Sequence, residues 1–336
     1  MRRFIELFAV AWPGLLLALV LASLANFVHL SSQLANFFVD PLYLAFLLGL
    51  CVRLILGDKF IFWPGFALTQ DLFIPIGIIL YATQVHWENL SMSTLQPFLI
   101  PLVLALILYH LILVTPAKRL KIKKEGGILI WASCGLLGPL AVVLLAPALE
   151  AADEDIAFSL ILAFFVTTVM LIFSPILMAL HPVDPLILGT LSTLSLPMLS
   201  PLNPITQGMP SAIATAGLLF GIKVALLAPL ALGIYLGHRI RKGRSSRFPL
   251  FLIVLFFAIG FLFSFVPTLA FARENYEPIT KFILTLALTG VGLSTNLRTI
   301  LFERTKAISI YLILALVASV SVYLVGLWTL RILQPG

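Results

Sequence analysis

The chain has 336 residues, of which 61% are hydrophobic and only 10% are charged, and its mean hydropathy is +1.13. One water-soluble core cannot hide so much apolar surface, so the composition excludes a soluble globular protein and predicts a single polytopic membrane domain over residues 1–336. The net charge of +7 does not indicate nucleic-acid binding, because most basic residues group in short loops between apolar stretches.

Apolar stretches long enough to span a bilayer core, about 20 residues each, recur along the whole chain. We interpret the first as a spanning helix, although Met1-Arg2-Arg3 followed by an apolar run is also the order found in a signal peptide. The eleven predicted segments are Leu7–Leu30, Val39–Leu56, Leu68–Val85, Leu95–Val114, Gly127–Leu149, Ile156–Leu180, Pro185–Leu202, Ser211–Leu236, Pro249–Phe271, Ile279–Leu297 and Ile308–Leu333.

The basic residues predict the orientation, because cytoplasmic loops carry an excess of Lys and Arg. If every segment crosses and the N-terminus is cytoplasmic, the clusters 118–124 and 239–247 both fall inside and the acidic run 150–155 falls outside. The C-terminus is then outside. Seventeen of the 21 basic residues are cytoplasmic under this scheme: Arg2, Arg3, Arg53, Lys59, Lys118, Arg119, Lys121, Lys123, Lys124, Arg239, Arg241, Lys242, Arg244, Arg247, Arg298, Arg304 and Lys306.

Five prolines and several hydroxyl and amide side chains interrupt the apolar stretch 185–211. Non-helical backbone at membrane depth survives only where it is buried in protein or lines a wet cavity. The pattern therefore predicts a discontinuous transporter helix with Ser195, Asn203, Thr206 and Gln207 at a substrate site. An ordinary external loop between two short helices is the alternative.

A second interruption lies at 133–139, where Cys134 and Gly135 are candidate binding residues and close helix packing is the alternative explanation of the glycines. Segment 73–85 also resembles segment 283–295, since each is an apolar run with a polar end. The two segments run in opposite directions in the predicted topology, as inverted repeats do. Gln84, Ser294 and Thr295 at their ends complete the predicted substrate site.

Lys223 is the one Lys or Arg in the middle of a predicted spanning segment, since Arg53, Lys281 and Arg331 lie near segment ends, and no acidic residue lies in the middle of any segment. A buried lysine without an intramembrane acid, together with broken helices that expose backbone N–H groups, favours an anionic substrate. The alternative is a structural lysine that pairs with a backbone carbonyl. Coupling to Na⁺ or H⁺ stays open, and no other cofactor is expected.

The chain resembles the YeiH-type family of bacterial inner-membrane transporters, which is named for sulfate export. The resemblance covers most of the chain in order and rests on Tyr43–Leu50, Leu72–Val85, Ile222–Pro229 and Leu286–Leu293. It implies the bacterial inner membrane and a transporter of ten or eleven helices, with discontinuous helices and inverted repeats, related to the sodium/proton antiporter and bile-acid symporter folds.

Two stretches depart from the family pattern. The family's "ICGASAI" is reduced to Cys134-Gly135, and its "GASIHDTAQV" has become Gly189–Met198 without the His-Asp pair. The resemblance therefore carries over the architecture and not the sulfate substrate.

The function predicted from these observations is secondary transport of a small, sulfate-like or organic anion by alternating access. A sodium-coupled symporter of organic solutes and a non-transporting membrane subunit are the alternatives. An enzyme is not expected, because the five histidines are scattered without metal-ligand spacing and no catalytic motif is present. The expected partners are the lipid bilayer and the substrate, and a homodimer is left open.

Overall fold

Every regular element is helical in the computed structural model, which describes residues 2–31, 41–57, 60–83, 92–120, 122–180, 184–195, 209–242, 255, 258–260, 262–263, 265–296 and 305–333. The predicted all-α membrane class is confirmed. Within those residues the α-helices are α1 Arg2–Ser31, α2 Pro41–Leu56, α3 Trp63–Leu68, α4 Ile74–Ala82, α5 Met92–Tyr109, α6 Lys124–Ala132, α7 Pro139–Leu149, α8 Asp153–Leu180, α9 Pro185–Ser195, α10 Pro210–Lys242, α11 Pro267–Ser294 and α12 Thr305–Leu333.

Five of the described helical stretches are long and apolar enough to cross a bilayer, as judged from length and composition. They are Val10–Val28, Trp63–Tyr81, Phe98–Ala117, Pro210–Gly237 and Lys306–Ile332. The chain is thus a multi-pass membrane protein. Which end faces the cytoplasm stays a prediction, based on the distribution of basic residues.

The chain divides into two compact units, each assembled from separate stretches. Unit 1 comprises Met1–Ala35, Val39–Gln84 and Ser246–Arg304, and unit 2 comprises Asn36–Phe38, Val85–Ser245 and Thr305–Gly336. The N-terminal helices and α11 therefore form one unit, while the central helices and α12 form the other.

Glycines allow the helices of unit 1 to approach at backbone distance. A Cβ on Gly49 of α2 would lie 2.7 Å from the carbonyl oxygen of Thr289 and 3.1 Å from the Cα of Gly292, both in α11. Gly14 of α1 and Gly65 of α3 form a second crossing of this kind. Small residues of this type let apolar helices associate through van der Waals contact, since lipid supplies no hydrophobic drive between helices.

Unit 2 contains a helical hairpin in place of the predicted spanning segment Gly127–Leu149. Helix α6 continues into a π-helical turn, Ser133–Leu137, and the chain then reverses at Gly138, whose φ of 55° and ψ of −128° lie outside the helical region. Helix α7 returns along α6, and α8 begins beside the start of α6. A Cβ on Gly126 would lie 3.0 Å from the Cγ of Asp155.

This hairpin places the acidic run 150–155 at the same end of unit 2 as the loop 118–124. A straight helix over the 23 steps from Gly126 to Leu149 would be about 34 Å long, and the short connection to Asp155 could not return that distance. The predicted separation of the two loops across the membrane is therefore wrong. Hydropathy identified an apolar stretch of spanning length, but it does not report that the chain turns back halfway.

Helix α9 is a half-length helix that starts beside the start of α10. Gly189 of α9 faces Ala212 of α10, and the hydroxyl of Thr193 lies 3.4 Å from the carbonyl oxygen of Ala216, so the two helices run in the same direction. At 11 residues, α9 is about 16 Å long and extends along about the first third of the 33-residue α10. Because α9 and α10 lie side by side in the same direction, one continuous helix over segment 185–211 is excluded, as predicted; 196–208 lie outside the described residues.

Unit 1 differs from the prediction at the expected loop between Phe271 and Ile279, which is helical. Val266 is extended, Pro267 occupies the first turn, and α11 continues through the charged stretch to Ser294. Lys281 and Glu277 form an exposed ion pair of 2.6 Å on this helix. Charged residues make the stretch unsuitable for the lipid core, but they do not end a helix, and hydropathy alone does not distinguish the two cases.

Candidate functional site

The tip of the α6–α7 hairpin packs against the ring of Tyr109, the last residue of α5. A Cβ on Gly135 would lie 3.1 Å from the Cγ and Cδ2 of Tyr109, so the absence of a side chain at this position lets the ring pack against the hairpin. Cys134 beside it is buried, and its thiol lies 3.7 Å from the Ser133 hydroxyl. Tyr109 is thus the residue that the hairpin tip contacts.

The Tyr109 hydroxyl joins α9 to α12. It donates a hydrogen bond of 3.1 Å to the carbonyl oxygen of Ser195, the last residue of α9, and it lies 3.0 Å from the hydroxyl of Ser319 in α12. All three residues are buried. The described end of α9 is therefore bonded to Tyr109, whose hydroxyl is in turn in contact with Ser319.

Lys223 of α10 holds the same helix end through a second carbonyl. Its ammonium donates a hydrogen bond of 2.6 Å to the carbonyl oxygen of Thr193, and the side chain is only 1% exposed. The last four carbonyls of a helix have no partner within it, and they form the negative end of the helix dipole. A lysine and a tyrosine thus satisfy carbonyls that lipid could not.

The site lies halfway along unit 2. Lys223 is at the centre of the apolar stretch Pro210–Gly237, and Ser319 is at the centre of Lys306–Ile332. The α6–α7 hairpin approaches this level from the end of unit 2 at which α12 begins. Tyr311, near the start of α12, shows this: its hydroxyl donates to the carbonyl oxygen of Leu113, and its ring meets Phe158 near the start of α8, where α6 also begins. Helix α9 approaches from the end at which α12 finishes.

Helix α9 runs antiparallel to α12, and this relationship fixes its direction of entry. A Cβ on Gly326 would lie 2.8 Å from the Leu191 side chain, while Ser195 at the end of α9 meets Tyr109 and Ser319. The two interrupted elements therefore enter unit 2 from opposite ends and both end at Tyr109. Non-helical backbone at membrane depth is tolerated at such protein-lined positions.

All three described π-helical turns lie at buried polar contacts. His110–Val114 directly follows Tyr109, and Ser133–Leu137 forms the tip of the α6–α7 hairpin. In unit 1, Thr69–Phe73 joins α3 to α4. A π-turn shifts the backbone hydrogen bonds by one residue and frequently marks functional positions. The carbonyl of Leu113, inside one such turn, accepts its hydrogen bond of 2.9 Å from the Tyr311 hydroxyl.

Unit 1 has a smaller polar cluster at the end of α11. Gln70, within the π-turn Thr69–Phe73, donates hydrogen bonds to the carbonyl oxygen of Gly290 at 3.1 Å and to the hydroxyl of Ser294. Thr295 bonds back to the carbonyl oxygen of Val291 at 2.7 Å and is buried. Helix α4 packs antiparallel on α11, since Gly77 faces Leu284 while Gln70 bonds to Ser294, and this places the described part of segment 73–85 beside segment 283–295.

The predicted site residues divide between the two units. Lys223, Cys134, Gly135 and Ser195 belong to unit 2, where Tyr109 and the end of α9 connect them. Ser294 and Thr295 belong to unit 1, and Gln84, Asn203, Thr206 and Gln207 lie outside the described residues. Whether any of these residues touches a substrate stays a prediction.

Sequence reasoning missed Tyr109, Ser319, Thr193 and Gln70. Each is a polar residue in or beside an apolar helix, and many such residues satisfy their hydroxyl locally, as Thr285 does with the carbonyl oxygen of Lys281 at 2.6 Å. The available signal was the pair Tyr109-His110 in the middle of a long apolar stretch, with a polar group on each of two successive residues.

Comparison with known proteins agrees with this architecture. The family model described as conserved hypothetical protein 698 matches residues 13–311. The chain belongs to this family. The resemblance noted from the sequence is thereby confirmed at family level, as that of a divergent member.

Curated members of the family have low identity but match over most of their length. UPF0324 membrane protein TauZ of Paracoccus denitrificans is 24% identical over 340 residues, which cover 94% of this chain and 96% of the relative. UPF0324 membrane protein PA5383 of Pseudomonas aeruginosa is 22% identical over 311 residues, 86% of each chain. UPF0324 membrane protein SERP0111 of Staphylococcus epidermidis is 22% identical over 275 residues, 80% of this chain and 82% of the relative. No solved structure gives a significant match.

Proposed function

We propose that the protein is a secondary transporter of a small anion, which binds beside Lys223 in unit 2. The observation that carries the proposal is the meeting of two interrupted elements, the α6–α7 hairpin and α9, at Tyr109 halfway along the unit. Transporters of this general type build their binding sites from interrupted helices near the middle of the membrane. Membership of a family of membrane proteins agrees with this interpretation.

The geometry supports alternating access. Because the hairpin and α9 enter from opposite ends, displacement of the hairpin tip would expose the site to one end of unit 2, and displacement of α9 would expose it to the other. Both elements are short: α9 is held at its end by hydrogen bonds from Tyr109 and Lys223, and the hairpin tip packs against the Tyr109 ring. Such elements can move while the long helices stay in place.

The charge of Lys223 supports an anionic substrate. Within the part of the chain that the structure describes, its one hydrogen bond goes to Thr193, and no carboxylate pairs with it. An ammonium has three N–H donors, so two remain for a bound anion. A charge held at the membrane centre costs about 3 kcal/mol on insertion scales, and an anion in contact with it would offset that cost.

Transport by purified protein in liposomes tests the proposal. The panel comprises sulfate, sulfite, small sulfonates and organic acids, each with and without Na⁺ and H⁺ gradients. We expect uptake or efflux of at least one anion. Transport of cations or neutral solutes only, or no transport by folded protein, would contradict the proposal and favour a sodium-coupled symporter or a membrane subunit respectively.

Substitution of Lys223 tests its role. Lys223→Met keeps a similar length and removes the charge, so the protein should insert and fold but lose anion transport. Lys223→Arg should retain part of the activity, because the charge survives while the geometry changes. Lys281→Met is the matched control, since Lys281 is exposed and pairs with Glu277 at the surface. Normal transport by Lys223→Met would show that the lysine only caps α9.

A further inference from the structure

The Thr193 carbonyl, in the last described turn of α9, cannot accept the usual helix hydrogen bond, because the residue four positions on is Pro197, which has no N–H. A carbonyl without this bond is left for another positive or donor group, and the helix dipole favours a cation there. The Thr193 hydroxyl donates to the carbonyl oxygen of Gly189 at 2.9 Å and lies 3.4 Å from the carbonyl oxygen of Ala216, so further oxygens lie beside it at the contact between α9 and α10. Uncharged oxygens of this kind are the ligands that hard cations such as Na⁺ take.

Lys223 already occupies this position. Its ammonium lies 2.6 Å from the Thr193 carbonyl oxygen, at the centre of a 28-residue apolar stretch and almost completely buried. The Tyr109 hydroxyl satisfies the neighbouring Ser195 carbonyl without adding charge, so Lys223 supplies the positive charge at this helix end. A second cation would meet both the repulsion of the ammonium and the loss of the Thr193 oxygen.

We infer that Lys223 is a resident cation that takes the place of a coupling Na⁺ at the end of α9. This inference rests on the proposed transport function and specifies its ion dependence, which was open from the sequence. Wild-type transport should proceed equally in Na⁺ and in choline or K⁺ media. Removal of the lysine should leave the Thr193 carbonyl oxygen open to a cation.

Thermal unfolding in detergent tests the inference without any transport measurement. Lys223→Ala should be stabilised by NaCl relative to choline chloride, with a rise in Tm of about 1–2 °C if the Na⁺ concentration is several times its Kd. The wild type and Lys223→Arg should show no such difference. Lys281→Ala, which loses an exposed lysine, controls for a general effect of charge removal.

A second variant keeps the test decisive if Lys223→Ala does not remain monodisperse. Lys223→Ser keeps a hydroxyl near the Thr193 carbonyl and should also gain a Na⁺-dependent rise in Tm. Equal Tm values of folded Lys223→Ala or Lys223→Ser in both salts would overturn the inference, as would strict Na⁺ dependence of wild-type transport. If the Tm values are equal in both salts but the wild type transports an anion, the inference fails while the proposed function stands, so the two failures are distinguishable.

Discussion

Gly126 and Asp155 lie against each other, although a π-turn and two helices separate them in the chain; a Cβ on Gly126 would be 3.0 Å from the Asp155 Cγ. This contact closes the α6–α7 hairpin at its base. It also sets the direction of α8, which leaves the same end of unit 2 from which α6 enters. The sidedness of the central loops depends on this contact.

Cysteine accessibility should place Lys124 and Asp153 on the same side of the membrane. Both residues are exposed, and α6 and α8 begin side by side. Each cysteine is introduced singly into a variant with Cys51 replaced by Ser. The extent of labelling by an impermeant maleimide in intact cells should be the same for Lys124→Cys and Asp153→Cys, and both should be labelled in inverted vesicles. Ser211→Cys, exposed at the start of α10, should show the opposite pattern. Opposite labelling of positions 124 and 153 would exclude the hairpin.

Gly135→Ala should disturb the hairpin tip. Its Cβ would sit 3.1 Å from the Tyr109 ring, which is buried and bonded to Ser195 and therefore cannot easily move. Overpacking of this kind typically costs about 1–3 kcal/mol. Gly217→Ala is the control, because a Cβ at that exposed position of α10 meets nothing within 4 Å. We expect a lower Tm and slower anion transport for Gly135→Ala only; equal behaviour of the two variants would place the ring elsewhere.

Two tyrosines should respond differently to loss of the hydroxyl. Tyr109→Phe removes the donor to the Ser195 carbonyl and the contact with Ser319, and leaving buried polar groups unpaired costs about 1–3 kcal/mol. Tyr323 is 2% exposed, and its hydroxyl has no hydrogen-bond partner among the described residues, so Tyr323→Phe should be neutral or stabilising. Thermal unfolding of both variants in detergent checks this. A destabilised Tyr323→Phe would indicate a partner for that hydroxyl.

Gly49→Ala should weaken unit 1. The added methyl would meet the Thr289 carbonyl oxygen and the Leu293 backbone nitrogen at 2.7 and 3.0 Å, and backbone atoms of a packed helix cannot rotate away. The variant should unfold at a lower temperature than the wild type, by an amount that corresponds to about 1–3 kcal/mol. Gly233→Ala, in open space on α10, should match or exceed the wild type, because alanine favours the helix. Equal Tm values for the two variants would contradict the close crossing of α2 and α11.

The sequence predicted helix positions well because apolar length is a strong signal in membrane proteins. The break at 133–139 and the end of α9 near Ser195 were also predictable, since glycine and proline interrupt helices there. The reversal at Gly138 was not predictable, because a hydropathy pattern shows that a stretch is apolar but not whether the chain turns back within it. The α6–α7 hairpin and α9 stand where two membrane crossings were predicted. Because the number of crossings falls by two, the predicted side of the basic loop 239–247 is unchanged, and the distribution of basic residues does not reveal the difference.

The candidate site was predictable only in part. Lys223 stands out as the charge within an apolar segment, whereas its partner is the backbone carbonyl of Thr193, which any residue could supply. Tyr109 and Ser319 are 210 residues apart in the chain, and one sequence gives no signal that they meet. Contacts made by backbone atoms or by single hydroxyls can be identified only from the three-dimensional structure.

The dependence of α9 on α12 has a consequence for biosynthesis. Helix α9 is too short to be retained by the lipid bilayer as an independent segment, and its side chains Leu191 and Leu194 face α12, which is synthesised after it. Before α12 has been made, α9 lacks both the apolar side chains of that helix and the Ser319 hydroxyl that contacts Tyr109. A nascent chain that ends before Thr305 should therefore carry Thr193 and Ser195, whose carbonyls bind Lys223 and Tyr109, but lack Ser319, and membrane quality-control proteases should recognise it as incomplete.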